Sequence, residues 1–289
     1  YTLHWRVDSA DGEEFVLGET PVTKGLYLYA VYTLDTKGVT VPAGVTVKDA
    51  DGNTITPDEN GKVSVTPGQK ITLEAPTKTD NGDAYEWTIS GNGSEQPETK
   101  ISDSITVTVN DETEIKLETL KALHITNEGK PNTTGTKYDE TSGTYYGNGW
   151  EYSETAGLTI KANADLSNEP AVTVNVTVET GKTVSNAKLT GDVTNNGTLS
   201  NCVLDKAPTG GTVENSLFGA EYTGAHTLTE ADGKDITAKL DGVKDGSLTG
   251  KTLWFVGTPK LTATVENTEI KHINHDDVKA SKITGVKGT

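Results

Sequence analysis

The 289-residue chain has no methionine, a single cysteine and few basic residues: Lys and Arg total 25 against 42 Asp and Glu, a formal net charge of −17. Each shortage excludes something. One cysteine, Cys202, rules out an internal disulfide as a staple of the fold. The acidic balance argues against nucleic-acid backbones and anionic membranes as partners, because like charges repel. It also leaves carboxylates free to meet cations. No apolar run approaches the ~20 residues of a membrane-spanning helix, so no membrane insertion is expected. Long helix formers such as Leu and Arg are scarce, whereas Thr, Val, Gly and Asn abound, a balance that favours strands and turns. A chain that starts at Tyr1, with neither initiator nor signal peptide, is expected to be a processed or excised fragment.

What is present is a repeat. Between residues 172 and 218 three frames align: Thr183-Val184-Ser185-Asn186-Ala187, Thr198-Leu199-Ser200-Asn201-Cys202 and Thr212-Val213-Glu214-Asn215-Ser216. Gly181, Gly197 and Gly211 precede them, and apolar Leu189, Leu204 and Phe218 follow. A unit this short cannot bury a hydrophobic face alone and must stack on its neighbours. Apolar positions between small or polar corners predict the rungs of a β-solenoid, with Val184, Leu199 and Val213 as one inward column. Cys202 aligns with Ala187 and Ser216, which reads as a small residue packed in or near the core; a reactive thiol is the alternative.

Residues 37–121 carry a different pattern. Apolar positions alternate in 39–41, 45–47, 63–65, 71–73 and 105–109. Asp51-Gly52-Asn53, Glu59-Asn60-Gly61, Pro67-Gly68 and Asn81-Gly82 supply turns between them. Short strands at this spacing predict a β-sandwich. Pro67-Gly68-Gln69-Lys70-Ile71-Thr72-Leu73, Tyr85-Glu86-Trp87 and Ser90-Gly91 resemble bacterial immunoglobulin-like and polycystic-kidney-disease-type domains. The resemblance implies that Trp87 packs between the two sheets. It implies no activity.

The first 36 residues contain an aromatic-rich run at 26–32 that reads as a strand. Trp5, Asp11-Gly12, Phe15, Pro21-Val22-Thr23 and Leu26-Tyr27-Leu28-Tyr29-Ala30 resemble the C-terminal part of a Listeria–Bacteroides repeat, a β-grasp-like module of bacterial surface proteins. The usual opening strand of that module is absent. Beyond residue 121 the chain enters the solenoid region. Residues 132–143 are polar and rich in Gly and Thr, and predict a loop or mobile edge. Gly147-x-Gly149-Trp150-x-Tyr152 and the strand at 158–160 are similar to the start of solenoid-like regions in surface proteins of gut bacteria. Strands are expected at 253–256 and 261–265, and 265–268 echoes the third frame. Residues 223–289 form either a continuation of the solenoid or a separate β unit.

Three groups of residues are candidates for chemistry. Tyr145, Tyr146, Trp150 and Tyr152 either cap the solenoid core or form a platform on which sugar faces stack. Asp49, Asp51 and Asn53 resemble the opening of a calcium loop, with calcium as the one cofactor they imply. Position twelve would be Asn60 instead of a bidentate Glu, and a hairpin turn explains the same residues. His272-x-x-His275-Asp276-Asp277 has metal-ligand chemistry, but its spacing aligns both rings only on a helix. The five histidines, His4, His124, His226, His272 and His275, fall in no catalytic frame, and no nucleophile elbow, zincin helix or phosphate loop occurs.

The expected architecture is all-β: a partial β-grasp-like module over 1–36, an immunoglobulin-like sandwich over 37–121 and a β-solenoid-like domain over 122–289. The expected function is non-catalytic adhesion or structural presentation on a bacterial cell surface, outside the cell. Its partner would be a host or neighbouring-cell surface protein or glycan. A carbohydrate-binding module is the second reading, and a solenoid polysaccharide lyase or hydrolase the third. Exposed aromatics on a solenoid face would favour sugar binding, a charged groove the enzyme, and a smooth Thr- and Asn-rich surface the spacer.

Overall fold

A computed structural model describes residues 1–22 and 25–219, and beyond them 227–229, 239, 252–257, 264–265, 269–272 and 287–288. Among these residues every regular element is a strand, and no helix is long and apolar enough to cross a membrane. The chain divides into two compact units. The first comprises Tyr1–Lys78 and Tyr85–Glu118, the second Thr79–Ala84 and Thr119–Thr289.

In the first unit, β1 (Thr2–Val7) and β2 (Leu28–Thr33) form a two-stranded antiparallel sheet. The strand expected at 26–32 therefore begins two residues later. Leu3, Trp5 and Val7 lie opposite Tyr32, Ala30 and Leu28, so one face of this sheet is apolar throughout. Leu3, Trp5 and Tyr32 are exposed on it. Nine further strands follow: β3 (Lys37–Thr40), β4 (Thr46–Lys48), β5 (Thr54–Ile55), β6 (Lys62–Val65), β7 (Lys70–Glu74), β8 (Ala84–Gly91), β9 (Glu98–Ile101), β10 (Ser104–Thr108) and β11 (Thr113–Leu120). They make two sheets, ordered β10-β7-β4-β5 and β6-β3-β11-β8-β9. The period-2 pattern places Val63 and Val65, Tyr85, Trp87 and Ile89, and Ile105 and Val107 on buried faces. Both sheets contribute to one hydrophobic cluster. Trp87 is fully buried in it, and its indole N–H donates to the Ser102 carbonyl at 2.8 Å.

The second unit opens with an antiparallel stretch: β12 (Lys137–Asp139), β13 (Thr144–Gly147), β14 (Trp150–Ser153) and β15 (Gly157–Ile160). Part of the polar segment 132–143, expected as a loop or mobile edge, is strand β12 at the edge of its sheet. Its composition is that of an edge strand with one neighbour, which needs few apolar residues. Asp139 closes the turn to β13, accepting the Thr141 N–H and the Ser142 hydroxyl at 2.9 and 2.8 Å.

From β15 onward the chain winds into a β-solenoid of about four turns. Its strands are β16 (Ala164–Asp165), β17 (Val176–Val178), β18 (Thr183–Ser185), β19 (Lys188–Leu189), β20 (Val193–Asn195), β21 (Thr198–Ser200), β22 (Val203–Leu204), β23 (Thr212–Glu214), β24 (Ser216–Phe218) and β25 (Thr227–Thr229). Three parallel faces result: β15-β17-β20, β16-β18-β21-β23-β25 and β19-β22-β24. The three frames of the sequence are β18, β21 and β23 with their corners. Val184, Leu199 and Val213 pair in register and are all fully buried. The asparagine of each frame turns the corner: Asn186, Asn201 and Asn215 have φ of 55°, 53° and 43°. Asn is the non-glycine residue that best tolerates this left-handed region, because its short amide bonds locally to the backbone. Cys202 takes the same buried position as Ala187, and burial pushes its thiol up to about 12.

On the face that carries the frames, β18-β21-β23, the spacing falls from 15 to 14. The residue is lost between β22 and β23, where the strand equivalent to β20 shrinks to a single bridge, Thr194 to Thr209. Asn195 ends the inward column Ile160–Val178–Asn195 at that point. It is fully buried; its amide N–H donates to Thr212 O at 2.9 Å and its Oδ1 accepts from Gly197 N at 3.1 Å. Leaving either group unpaired would cost about 1–3 kcal/mol, which explains a polar side chain at an apolar position.

Beyond the repeats, β26 (Thr252–Val256) covers the strand expected at 253–256 and pairs with β24 antiparallel, so parallel stacking on that face stops at β24. Two parallel pairings follow, β26 with β28 (Glu269–His272) and β27 (Thr264–Val265) with β29 (Lys287–Gly288). Of the strand expected at 261–265 only Thr264 and Val265 are described. Residues 266–268 of the echoed frame, His226, His275, Asp276 and Asp277 lie outside the described residues.

Candidate functional site

The aromatic residues singled out in the sequence sit on the hairpin that opens the second unit, and its register sorts them. Tyr145 faces Tyr152, Gly147 faces Trp150, and Tyr146 faces Glu151. Tyr152 and Trp150 in turn face Leu158 and Ile160, which belong to the first inward columns of the solenoid. The hairpin therefore extends those columns past the first turn, as Tyr145–Tyr152–Leu158–Val176 and Gly147–Trp150–Ile160–Val178. Trp150 and Tyr152 are 1% and 3% exposed. The four aromatics do not form one platform: Trp150 and Tyr152 offer no ring face to a sugar. They close the end of the core.

Local sequence explains the placement of the indole. Gly147 is a glycine because its neighbour across the strand is Trp150: a Cβ there would run into the indole ring. Gly149, with φ of 78°, lets the two-residue turn close. The indole N–H then donates to the Lys121 carbonyl at 2.9 Å. Tyr152 buries its hydroxyl beside Glu154. Burial, and then Glu154, hold that phenol above its ordinary value.

Two rings remain near the surface. Tyr138, which the sequence did not single out, is 46% exposed and packs on Tyr145 with centroids 4.5 Å apart and planes at 34°. Tyr146, on the opposite face, carries the Lys137 ammonium 5.9 Å above its ring. Glu151, directly across from Tyr146, pairs with Lys161.

Asp49, Asp51 and Asn53 lie in the hairpin between β4 and β5. Asp49 Oδ1 accepts from the Asp51 and Asn53 backbone N–H groups at 2.9 and 2.8 Å, and Oδ2 accepts from Asn53 Nδ2 at 3.1 Å. The Asn53 side chain and these N–H groups hold the Asp49 carboxyl below its usual range. Both oxygens accept bonds within the turn, the arrangement of the hairpin alternative. Among the described residues no three His, Cys, Asp or Glu side chains gather as a metal site.

Sequence reasoning missed a polar cluster in the second unit. His124 Nδ1 lies 2.9 Å from Glu169 Oε1 and Nε2 lies 2.9 Å from Asp80 Oδ2. Asp83 is 3% exposed; its Oδ2 accepts from Lys121 Nζ at 2.9 Å and its Oδ1 from Ala122 N at 2.9 Å. Burial raises the Asp83 pKa, but Lys121, the Ala122 N–H and the Thr79 hydroxyl outweigh it and leave the carboxyl lowered. The partners stand some forty residues apart in the chain, so no local motif announces them. Beside this cluster is a cavity of about 210 Å³ lined in part by Gly82, Leu123, Asn148, Ala164 and Leu166.

The outward positions of two solenoid faces form ladders. Thr159, Thr177 and Thr194 stack on one; Thr183, Thr198 and Thr212, beside Ser185, Ser200 and Glu214, stack on the other. No family model, curated protein or solved structure matches the chain.

Proposed function

We propose that the chain is a non-catalytic module of a bacterial cell-surface protein that presents other parts of that protein outward or adheres to a neighbouring surface. The observation that carries this reading is the pair of outward ladders just described. Their residues are short hydroxylated side chains, with carboxylates only at the ends of the rows: Asp165 and Glu214 flank Ser185 and Ser200, and Glu151 lies beside Thr159. Such rows give a smooth, well-solvated and stiff face, suited to a spacer. In this reading residues 37–121 are an immunoglobulin-like sandwich and residues 1–36 part of a β-grasp-like repeat. The region from 122 is an extracellular stalk whose partner is a host or neighbouring-cell surface protein or glycan.

A second reading, a carbohydrate-binding module, draws on Tyr138, whose half-exposed ring is backed by Tyr145. The third is a solenoid polysaccharide lyase or hydrolase. One experiment separates all three. Beads coated with the protein are expected to adhere to bacterial or host cells, to leave a polysaccharide panel uncut and to show no glycan retention that depends on Tyr138. Failure to adhere to any cell surface, together with glycan retention lost in Tyr138→Ala, would replace the proposal with the second reading. Release of reducing ends from any polysaccharide would replace it with the third.

A further inference from the structure

We propose that His124 is a proton-operated latch: its imidazolium, held between Asp80 and Glu169, fastens the tip of segment Thr79–Ala84 beside the adjoining cavity. The argument is one of donor counting. Both ring nitrogens of His124 lie 2.9 Å from carboxylate oxygens. A carboxylate only accepts, so each nitrogen must donate, and a ring with two N–H groups is the charged form. A neutral ring keeps one N–H and turns a lone pair toward the other carboxylate, which breaks that bond and adds repulsion.

Each carboxylate also accepts from a backbone N–H, Asp80 within its own segment and Glu169 from the residue next to the ring. Asp80 Oδ1 accepts the Gly82 N–H at 2.8 Å, and Glu169 Oε2 accepts the Ile125 N–H at 2.7 Å. The ring thus ties the tip of one segment to the turn at 166–169. Gly82, Leu123 and Leu166, which follow from or adjoin the three tied groups, line the cavity. Among the described residues, the other charged groups around the latch are Asp83, which faces Lys121, and Lys239, whose ammonium donates to the Leu166 and Glu169 carbonyls at 2.5 and 2.7 Å. The imidazole is 51% exposed at its side chain, so protons reach it freely.

The sign follows from the carboxylates. Glu169 first, and then Asp80, raise the His124 pKa above 6.5. A raised folded-state value means that the latch contributes fully below about pH 6.5 and lets go as pH climbs through the folded value. On the acid side, the Gly82 N–H and His124 hold the Asp80 carboxyl below 3.8, so the latch survives until that group protonates. Asp83, whose carboxyl is held low, stays charged across neutral pH, and its bonds to the Lys121 ammonium and the Ala122 N–H keep the far end of the segment anchored.

Site-resolved NMR tests the latch. His124 is expected to titrate above 6.5, and the protection factor of the Gly82 amide should fall severalfold between about pH 5 and about pH 8.5. The Ala122 amide, bonded to Asp83, should stay protected at both. His124→Gln, which has no charge to lose, should show the weakly protected Gly82 amide at either pH while keeping Ala122 protected. A His124 that titrates at or below 6.5, or a Gly82 amide equally protected at both pH values in the parent chain, overturns the proposal.

Discussion

Replacing Leu199 with Asp is expected to cost about 3–5 kcal/mol of folding stability, read from chemical denaturation. Leu199 is fully buried between Val184 above and Val213 below, in the middle of the inward column. An aspartate there would lose the apolar burial, worth about 1.5–3 kcal/mol, and would find no partner for its charge. Ser200, the next residue, faces outward between Ser185 and Glu214. Ser200→Asp places a carboxylate in register with Glu214, a like-charge pair whose penalty stays under about 1 kcal/mol in solvent. The contrast between adjacent positions is what the period of two demands. Equal losses for the two variants would contradict the register.

Trp150→Ala is expected to cost roughly 3–5 kcal/mol as well, by a different route. Truncation removes a ring that is 1% exposed, opens a cavity between the hairpin and the first inward column, and leaves the Lys121 carbonyl without its indole donor. Gly147 cannot fill the space, since it was small to make room for the ring. The melting temperature should therefore fall by several degrees or more. If Trp150→Ala melted like the parent, the ring would not be a cap, and an exposed sugar platform would regain its standing.

Much of the solenoid could be read from residues alone, and the reason is its short repeat. The Thr-x-Ser/Glu-Asn frame encodes an outward residue, an inward one, another outward one and a left-handed corner. Thr183, Thr198 and Thr212 consequently pair in the register in which their frames align. The alternation of 63–65 and 105–109 likewise gave the buried faces of β6 and β10. What stayed hidden depends on distant partners. Strand β12 looks like a loop because an edge strand needs only a neighbour, and β13 supplies it. Tyr145 and Tyr146 are adjacent in sequence yet face opposite sides of the sheet, which follows only once the hairpin register is known. The Asp80–His124–Glu169 cluster joins three turns. Residues 79–84 belong with the second unit although the chain on either side belongs with the first, so a boundary drawn at 121 misses them. No local pattern carries that information.

The stacked column is the claim on which the rest depends, and methyl–methyl NOEs measure it most directly. With Val and Leu methyls labelled, Leu199 should show cross-peaks to both Val184 and Val213, and none should connect Val184 directly to Val213, two rungs apart at about 4.8 Å per strand. Leu204, on a neighbouring face, should give the same pattern with Leu189 above it. A Leu199 whose methyls touch neither Val184 nor Val213 would contradict the solenoid, its corners and the capping role of Trp150 together.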